Sequence, residues 1–202
     1  MEIKIEKNSE TTSQQDFVMS YFNAPITNKV PRCQVRLADV ARAIKSELWR
    51  EPTLGLRQIQ DEALARSFKG GHFPYITPAG TFSYCNDQSV VSYSGLLCMD
   101  LDHIPYPDVE PLKQRLLADG RFITQMAFRS PSGCGLKWFV SIDLSMCSYR
   151  QWFTAVRNYL MATYGLDGQQ VDAHTGNVSR ACFLCHDPEV YLNPQRLSVS
   201  SH

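Results

Sequence analysis

The stretch Gly95-Leu96-Leu97-Cys98-Met99-Asp100-Leu101-Asp102-His103 constrains the fold more than any other. Its apolar run is short and closed by two acids, so it reads as a strand over 95–102 that leaves a core and ends at a surface. Strand side chains alternate between faces. Leu97, Met99 and Leu101 then point one way, and Cys98, Asp100 and Asp102 the other. The two carboxylates stand side by side, about 7 Å apart at their Cα atoms from the rise per residue.

The flanking patterns supply the rest of an α+β fold. Leu37, Val40, Ala41, Ile44 and Leu48 recur at helical spacing, and Pro52 and Gly55 punctuate that helix. Leu56, Ile59, Leu64 and Phe68 predict a second helix, ended by Gly70-Gly71. The proline-rich segment 72–82 reads as an extended edge and turn. After the 95–102 strand come a helix over 109–117 with Pro111 in its first turn and a strand over 121–128. In that strand Phe122, Thr124, Met126 and Phe128 share one face. A turn at 130–133 leads into a strand over 136–142, which together make a βαβ-type unit with a hairpin. The strongest helix spans 149–164, with Trp152, Val156, Tyr159, Leu160 and Thr163 along one side and Gly165 as its stop. A last strand covers 180–184. The expected sheet is mixed or antiparallel and flanked by helices. Residues 1–30 read as an arm: a polar run, then Phe17-Val18-Met19 and Tyr21-Phe22, able to pair as a strand or dock on the body. Residues 31–202 form one domain.

Composition excludes several classes. The 202 residues carry 20 Lys+Arg and 20 Asp+Glu, so bulk charge does not coat nucleic acid. No run approaches the roughly 20 apolar residues of a membrane span. The mixed-charge start lacks the apolar middle of a signal peptide, and a cytoplasmic location is expected. Seven scattered cysteines do not make a disulfide framework. Cys182-Phe183-Leu184-Cys185-His186 lacks the second ligand pair of a zinc site and reads as core thiols.

Three stretches carry possible chemistry. Asp100 and Asp102 repel each other at a strand end, and Mg²⁺ relieves that cost; the plainer reading is a pair of acids entering solvent. In Arg129-Ser130-Pro131-Ser132-Gly133-Cys134-Gly135-Leu136-Lys137, small residues let backbone amides approach an anion. Lys137 lies on the face opposite Leu136, Trp138 and Val140, where a point charge suits a triphosphate. The plainer reading is a hairpin turn with a surface lysine. Asp172 in Val171-Asp172-Ala173-His174 completes a carboxylate triad or caps a turn, and Arg180 meets a phosphate or forms a structural ion pair.

The order of these stretches resembles the archaeo-eukaryotic primase superfamily, and within it the VirE-like N-terminal domain (primase-polymerase type) of bacterial mobile-element proteins. The resemblance covers roughly residues 30–192, on Phe73-Pro74 through Phe82, Gly95 through Asp102, Phe128 through Val140 and Asp172 through Tyr191. It implies a primase-polymerase-like fold and a two-metal nucleotidyltransferase acting on a DNA template and nucleoside triphosphates. Asp100, Asp102 and Asp172 would be the catalytic Mg²⁺ or Mn²⁺ ligands. Ser130, Ser132, Gly133, Gly135, Lys137 and Arg180 would contact phosphates. The superfamily usually places histidine where this chain has Lys137. A helicase would come in trans or from a further C-terminal region, and no membrane is involved. Two other readings share these residues: a non-catalytic nucleic-acid-binding module of the same fold, and a two-metal nuclease.

Overall fold

The computed structural model describes residues 17–199. In chain order come β1 (Val18–Phe22), β2 (Cys33–Arg36), α1 (Leu37–Lys45), a short 3-10 turn, α2 (Arg50–Gln58) and α3 (Glu62–His72). The middle holds β3 (Tyr75–Thr77), β4 (Gly80–Phe82), β5 (Val90–Tyr93), β6 (Leu96–Leu101), α4 (Tyr106–Leu117), β7 (Thr124–Arg129) and β8 (Leu136–Ser141). The chain closes with α5 (Tyr149–Tyr164) and the two-residue strands β9 (Cys182–Phe183) and β10 (Tyr191–Leu192). The fold is α+β, as expected.

The central sheet has the order β10-β7-β8-β6, and each pair is antiparallel. β6 and β7 therefore run parallel, with β8 inserted between them. The βαβ-type unit is a split one: α4 carries the chain from β6 across a slot that β8 fills later. A second sheet, β2-β1-β3-β9, is antiparallel throughout, and β4 pairs with β5 as a separate ribbon.

Both faces of the central sheet are buried. Leu97, Met99, Leu101, Trp138 and Val140 pack with Leu112 and Leu116 of α4 and Phe153, Val156 and Leu160 of α5. On the other face Leu96, Met126, Phe128 and Phe139 meet Met19, Ile76 and Cys182 of the second sheet and Ile44 of α1. Each such side chain contributes about 1.5–3 kcal/mol by leaving water. The alternation expected along 95–102 is thus realised, one face toward the helices and one toward the second sheet. Cys182 and Cys185 are buried free thiols in the latter core.

α5 has the expected bounds. Ser148 Oγ accepts from the Gln151 N–H while Gln151 Oε1 accepts from the Ser148 N–H, a reciprocal cap. Gly165 ends the helix at φ 70°. Its buried stripe runs through Tyr149, Phe153, Val156 and Leu160, rotated from the expected one: Trp152 and Tyr159 are half-buried and Thr163 is exposed.

Other expectations are corrected. The first helical stripe stops at Ile44, because the chain breaks at Ser46; Leu48 falls in the 3-10 turn and is exposed. Pro52 lies in the first turn of α2, where its missing N–H costs nothing, and Gly55 lies inside that helix. The stripe Leu56 to Phe68 is split between α2 and α3, and Asp61 caps α3 by accepting from the Leu64 N–H at 2.7 Å. α4 starts a turn earlier than expected, so Pro111 lies inside it. In β7 a bulge between Thr124 and Met126 breaks the alternation. Thr124 accepts from the Trp138 indole at 2.8 Å on the helix side, whereas Met126 and Phe128 face the second sheet. β3 is an inner strand between β1 and β9, not an edge. Residues 17–30, expected in an arm, include β1, an inner strand of the same sheet; residues 1–16 of that arm lie outside the described residues. The final strand is shorter than expected, and β10 went unread. Among the described residues no helix is long and apolar enough to cross a membrane.

Candidate functional site

The ladder between β6 and β8 sets Asp100 opposite Lys137, which puts their side chains on one face. Lys137 Nζ donates to Asp100 Oδ1, and the two side chains are 9% and 13% exposed, so this ion pair is shielded from solvent. Burial alone depresses the Lys137 ammonium. The Asp100 carboxylate, then Asp102, outweighs that and holds its pKa above the ordinary lysine value. Lys137 is therefore a buried, permanently charged group.

The pair opens onto a crevice lined by Pro78, Cys98, Asp100, Lys137, Tyr149, Arg180, Ala181 and Cys182. Asp100, Lys137 and Arg180 arrive on it from three remote segments. Arg180 is exposed, so its guanidinium meets solvent at this site. The enclosed space is only about 10 Å³, room for about one water molecule. A ligand would therefore meet Asp100, Lys137 and Arg180 at the mouth of the crevice, not inside it.

The Ser-Gly loop packs against the end of β6. The Ser130 N–H donates to Gly135 O at 2.9 Å, the Gly133 N–H donates to Ser130 O at 2.9 Å, and the Ser130 and Ser132 hydroxyls bond at 3.1 Å. Gly135 is required by close approach: a Cβ there would lie 2.5 Å from Leu101 O and 3.2 Å from Asp102 Oδ1. Gly133 adopts φ 86°, a left-handed conformation. Loop and acidic strand end are therefore one assembly.

Two cations at this assembly escaped the sequence reading. Lys69 of α3 sits with its Nζ 5.6 Å from the centre of the Phe183 ring. Burial first, then repulsion from Lys137, lowers its pKa, while Asp102 and Asp100 pull the other way. Arg57 of α2 donates from Nε to Pro131 O at 3.2 Å and from Nη2 to Ser130 O at 3.3 Å. Both lie on helices with ordinary surface composition, and no local pattern distinguishes them from solvated charges.

Asp172 takes the role of a turn cap. Its Oδ1 accepts from the His174 N–H at 2.9 Å at the start of a 3-10 turn. Its segment does reach the strand end, where the Asp102 N–H donates to Gln170 O at 3.0 Å. Among the described residues, however, no group of three or more His, Cys, Asp or Glu side chains is placed to hold a metal ion. With Asp100 engaged by Lys137 and Asp172 by its own turn, the residues as arranged do not fit the expected three-carboxylate Mg²⁺ or Mn²⁺ centre.

A family model described as BT4734-like, N-terminal domain matches residues 68–192, more than half of the chain. The chain belongs to that family. No curated protein and no solved structure matches it. The matched segment runs from within α3 to β10 and includes every residue lining the crevice, whereas α1, α2 and Arg57 precede it.

Proposed function

We propose that this BT4734-like domain is a primase-polymerase-like module of a mobile-element replication protein, and that the triphosphate of a nucleotide used on a DNA template docks over the mouth of its crevice. The observation that carries the reading is the convergence of Asp100, Lys137 and Arg180 on one crevice, with the Ser130–Gly135 loop against Asp102. Lys137 and Arg180 neutralise phosphate charge, Lys69 adds to the local positive field, and the loop offers backbone amides. These groups hold and orient a triphosphate, which is the larger part of what a phosphoryl-transferring protein contributes.

A second reading, a non-catalytic nucleotide- or nucleic-acid-binding module of the same fold, is favoured by a separate observation: Asp100 is already neutralised and Asp172 caps a turn. One experiment separates the two. Binding of a deoxynucleoside triphosphate and extension of a primed DNA template are measured with and without Mg²⁺ or Mn²⁺ in wild type, Lys137→Ala and Asp100→Asn. The transferase reading expects extension in wild type that is lost in Asp100→Asn, and weakened triphosphate binding in Lys137→Ala. Binding without extension under either metal selects the non-catalytic module. Triphosphate binding that is absent, or equal in wild type and Lys137→Ala, defeats the phosphate site in both readings.

A further inference from the structure

Resting on that phosphate-binding reading, we infer that Arg57 is a positioning residue, which presents the Ser130–Gly135 loop to phosphate from behind without touching the ligand. Its Nε and Nη2 hold Pro131 O and Ser130 O, and Arg129 Nε holds Gly133 O at 2.9 Å. Across a trans peptide a carbonyl and the following N–H point in opposite directions. Fixing the Pro131 and Gly133 carbonyls toward the two guanidiniums therefore turns the Ser132 and Cys134 amides the other way. Ser132 and Cys134 are the exposed residues of this loop, while Pro131, Gly133 and Gly135 are buried. The amides face outward where an anion can reach them.

The choice of partners matters as much as the geometry. Among the described residues neither guanidinium makes an ion pair with a carboxylate. Asp187 instead accepts from the Arg129 backbone N–H at 2.7 Å. Arg129 stacks its guanidinium 3.8 Å from the Tyr106 ring centre. The guanidinium bonds that hold the loop thus end on neutral carbonyls, and both positive charges lie beneath the loop with Asp187 and Glu110 acting on them only at longer range. Burial, deepened by Arg129 and partly offset by Cys185 and Asp187, makes the Arg57 charge costly to hold. A carboxylate in place of the carbonyls would remove that cost and would also cancel the attraction for an anion. Arg57 lies outside the stretch that the family model matches, so the loop of the domain is braced by a helix that precedes it.

The test uses the full chain and titrates dATP and inorganic tripolyphosphate, without divalent metal, by calorimetry. Arg57→Ala should weaken both ligands about tenfold or more, as expected when a bond supporting a charged ligand is lost. Arg57→Lys should do no better than Arg57→Ala, because an ammonium does not reproduce the fork that grips two carbonyls. Gly133→Ala approaches the same lesion from the other side: the residue is at φ 86°, and its Cβ would lie 3.2 Å from Arg57 Nε. The double variant should bind no more weakly than the worse single one. Low-millimolar guanidinium should restore Arg57→Ala and leave Lys137→Ala unrestored. Leu160→Ala, in the core beneath α5, should lower stability and leave affinity unchanged, which separates positioning from general loosening. Wild-type affinity in Arg57→Lys would show that charge alone suffices, and wild-type affinity in Arg57→Ala would remove the role; either result overturns the inference. If Lys137→Ala loses binding and the Arg57 variants keep it, the phosphate site stands and this inference falls. If wild type binds neither ligand, both fall.

Discussion

Replacing Lys137 by methionine keeps the unbranched apolar stem of the side chain and removes its charge. Because Lys137 and Asp100 have side chains only 9% and 13% exposed, the remaining Asp100 carboxylate would be left shielded and without its cation. Breaking a buried pair in this way costs about 3–5 kcal/mol. For a chain of this size each kcal/mol lowers Tm by about 2–4 °C. Lys137→Met should therefore melt about 6–20 °C below wild type. Asp100→Asn should fall at the lower end of that range, because Asp102 still faces the ammonium. The double variant Asp100→Leu/Lys137→Met removes both charges and should recover to within about 2 kcal/mol of wild type, or exceed it. Calorimetry paired with urea titration at pH 7 gives all three values. The Lys137 pKa is raised on folding, so its contribution is fully present below the ordinary lysine value of 10.5 and is lost only as pH rises through the higher folded value. The Lys137→Met deficit should accordingly stay constant between about pH 7 and 9. A deficit below about 1 kcal/mol, or a double variant as unstable as the two single deficits added together, would refute the shielded pair. The result also governs how a loss of primer extension in Asp100→Asn is read, since activity must be normalised to folded protein.

Three further outcomes follow from the geometry. Gly135→Ala should destabilise the domain by about 1–3 kcal/mol, because its Cβ meets the Leu101 carbonyl at 2.5 Å, and should weaken triphosphate binding; urea titration and calorimetry read the two effects. Ser148→Ala should cost about 1 kcal/mol by removing the cap of α5, measured as a lower urea midpoint with an unchanged slope. Burial acts to raise the Asp119 carboxyl, but the hydroxyls of Tyr164 and Tyr159, donating to its Oδ2 at 2.6 and 2.7 Å, hold it below the ordinary value. That stability is present above the ordinary aspartate pKa of 3.8 and is lost as pH falls through the lower folded value. The gap between wild type and Tyr159→Phe/Tyr164→Phe should therefore close on acidification below that range, as followed by thermal melts.

Strong local signals translated directly into structure. α5 carries a cap, a long periodic stripe and a terminal glycine, and these mark its bounds in the sequence. The alternation along 95–102 was legible because one strand serves two cores, so each face is apolar until the acids begin. Signals failed where tertiary contacts override the local pattern. A bulge at Gln125 reverses one end of β7, and nothing in Phe122-Ile123-Thr124-Gln125-Met126 announces it. β10 is two residues long and exists because β7 offers an edge. Asp100, Lys137 and Arg180 were nominated by spacing and order, and they do share a crevice. Arg57 and Lys69 were invisible, since a surface helix bears arginine and lysine for solubility alone. The Asp172 turn shows the converse: of its two readings, triad member or turn cap, the cap is the one written in the short-range sequence, and it is the one its carboxylate makes.

The late insertion of β8 has a consequence for synthesis. A nascent chain that has emerged through Arg129 holds β6 and β7 with an unfilled lane between them, and both apolar faces of the sheet lack their middle. The two strands do not pair with each other, and their shared hydrogen-bonding partner is missing until residues 136–141 arrive. The central sheet therefore closes in one step rather than growing strand by strand, and a fragment ending before Ser141 would expose two sticky borders prone to self-association. The strand that delivers Lys137 is also the one that shuts the lane, so the three-stranded heart of the sheet and its charge pair form at the same moment.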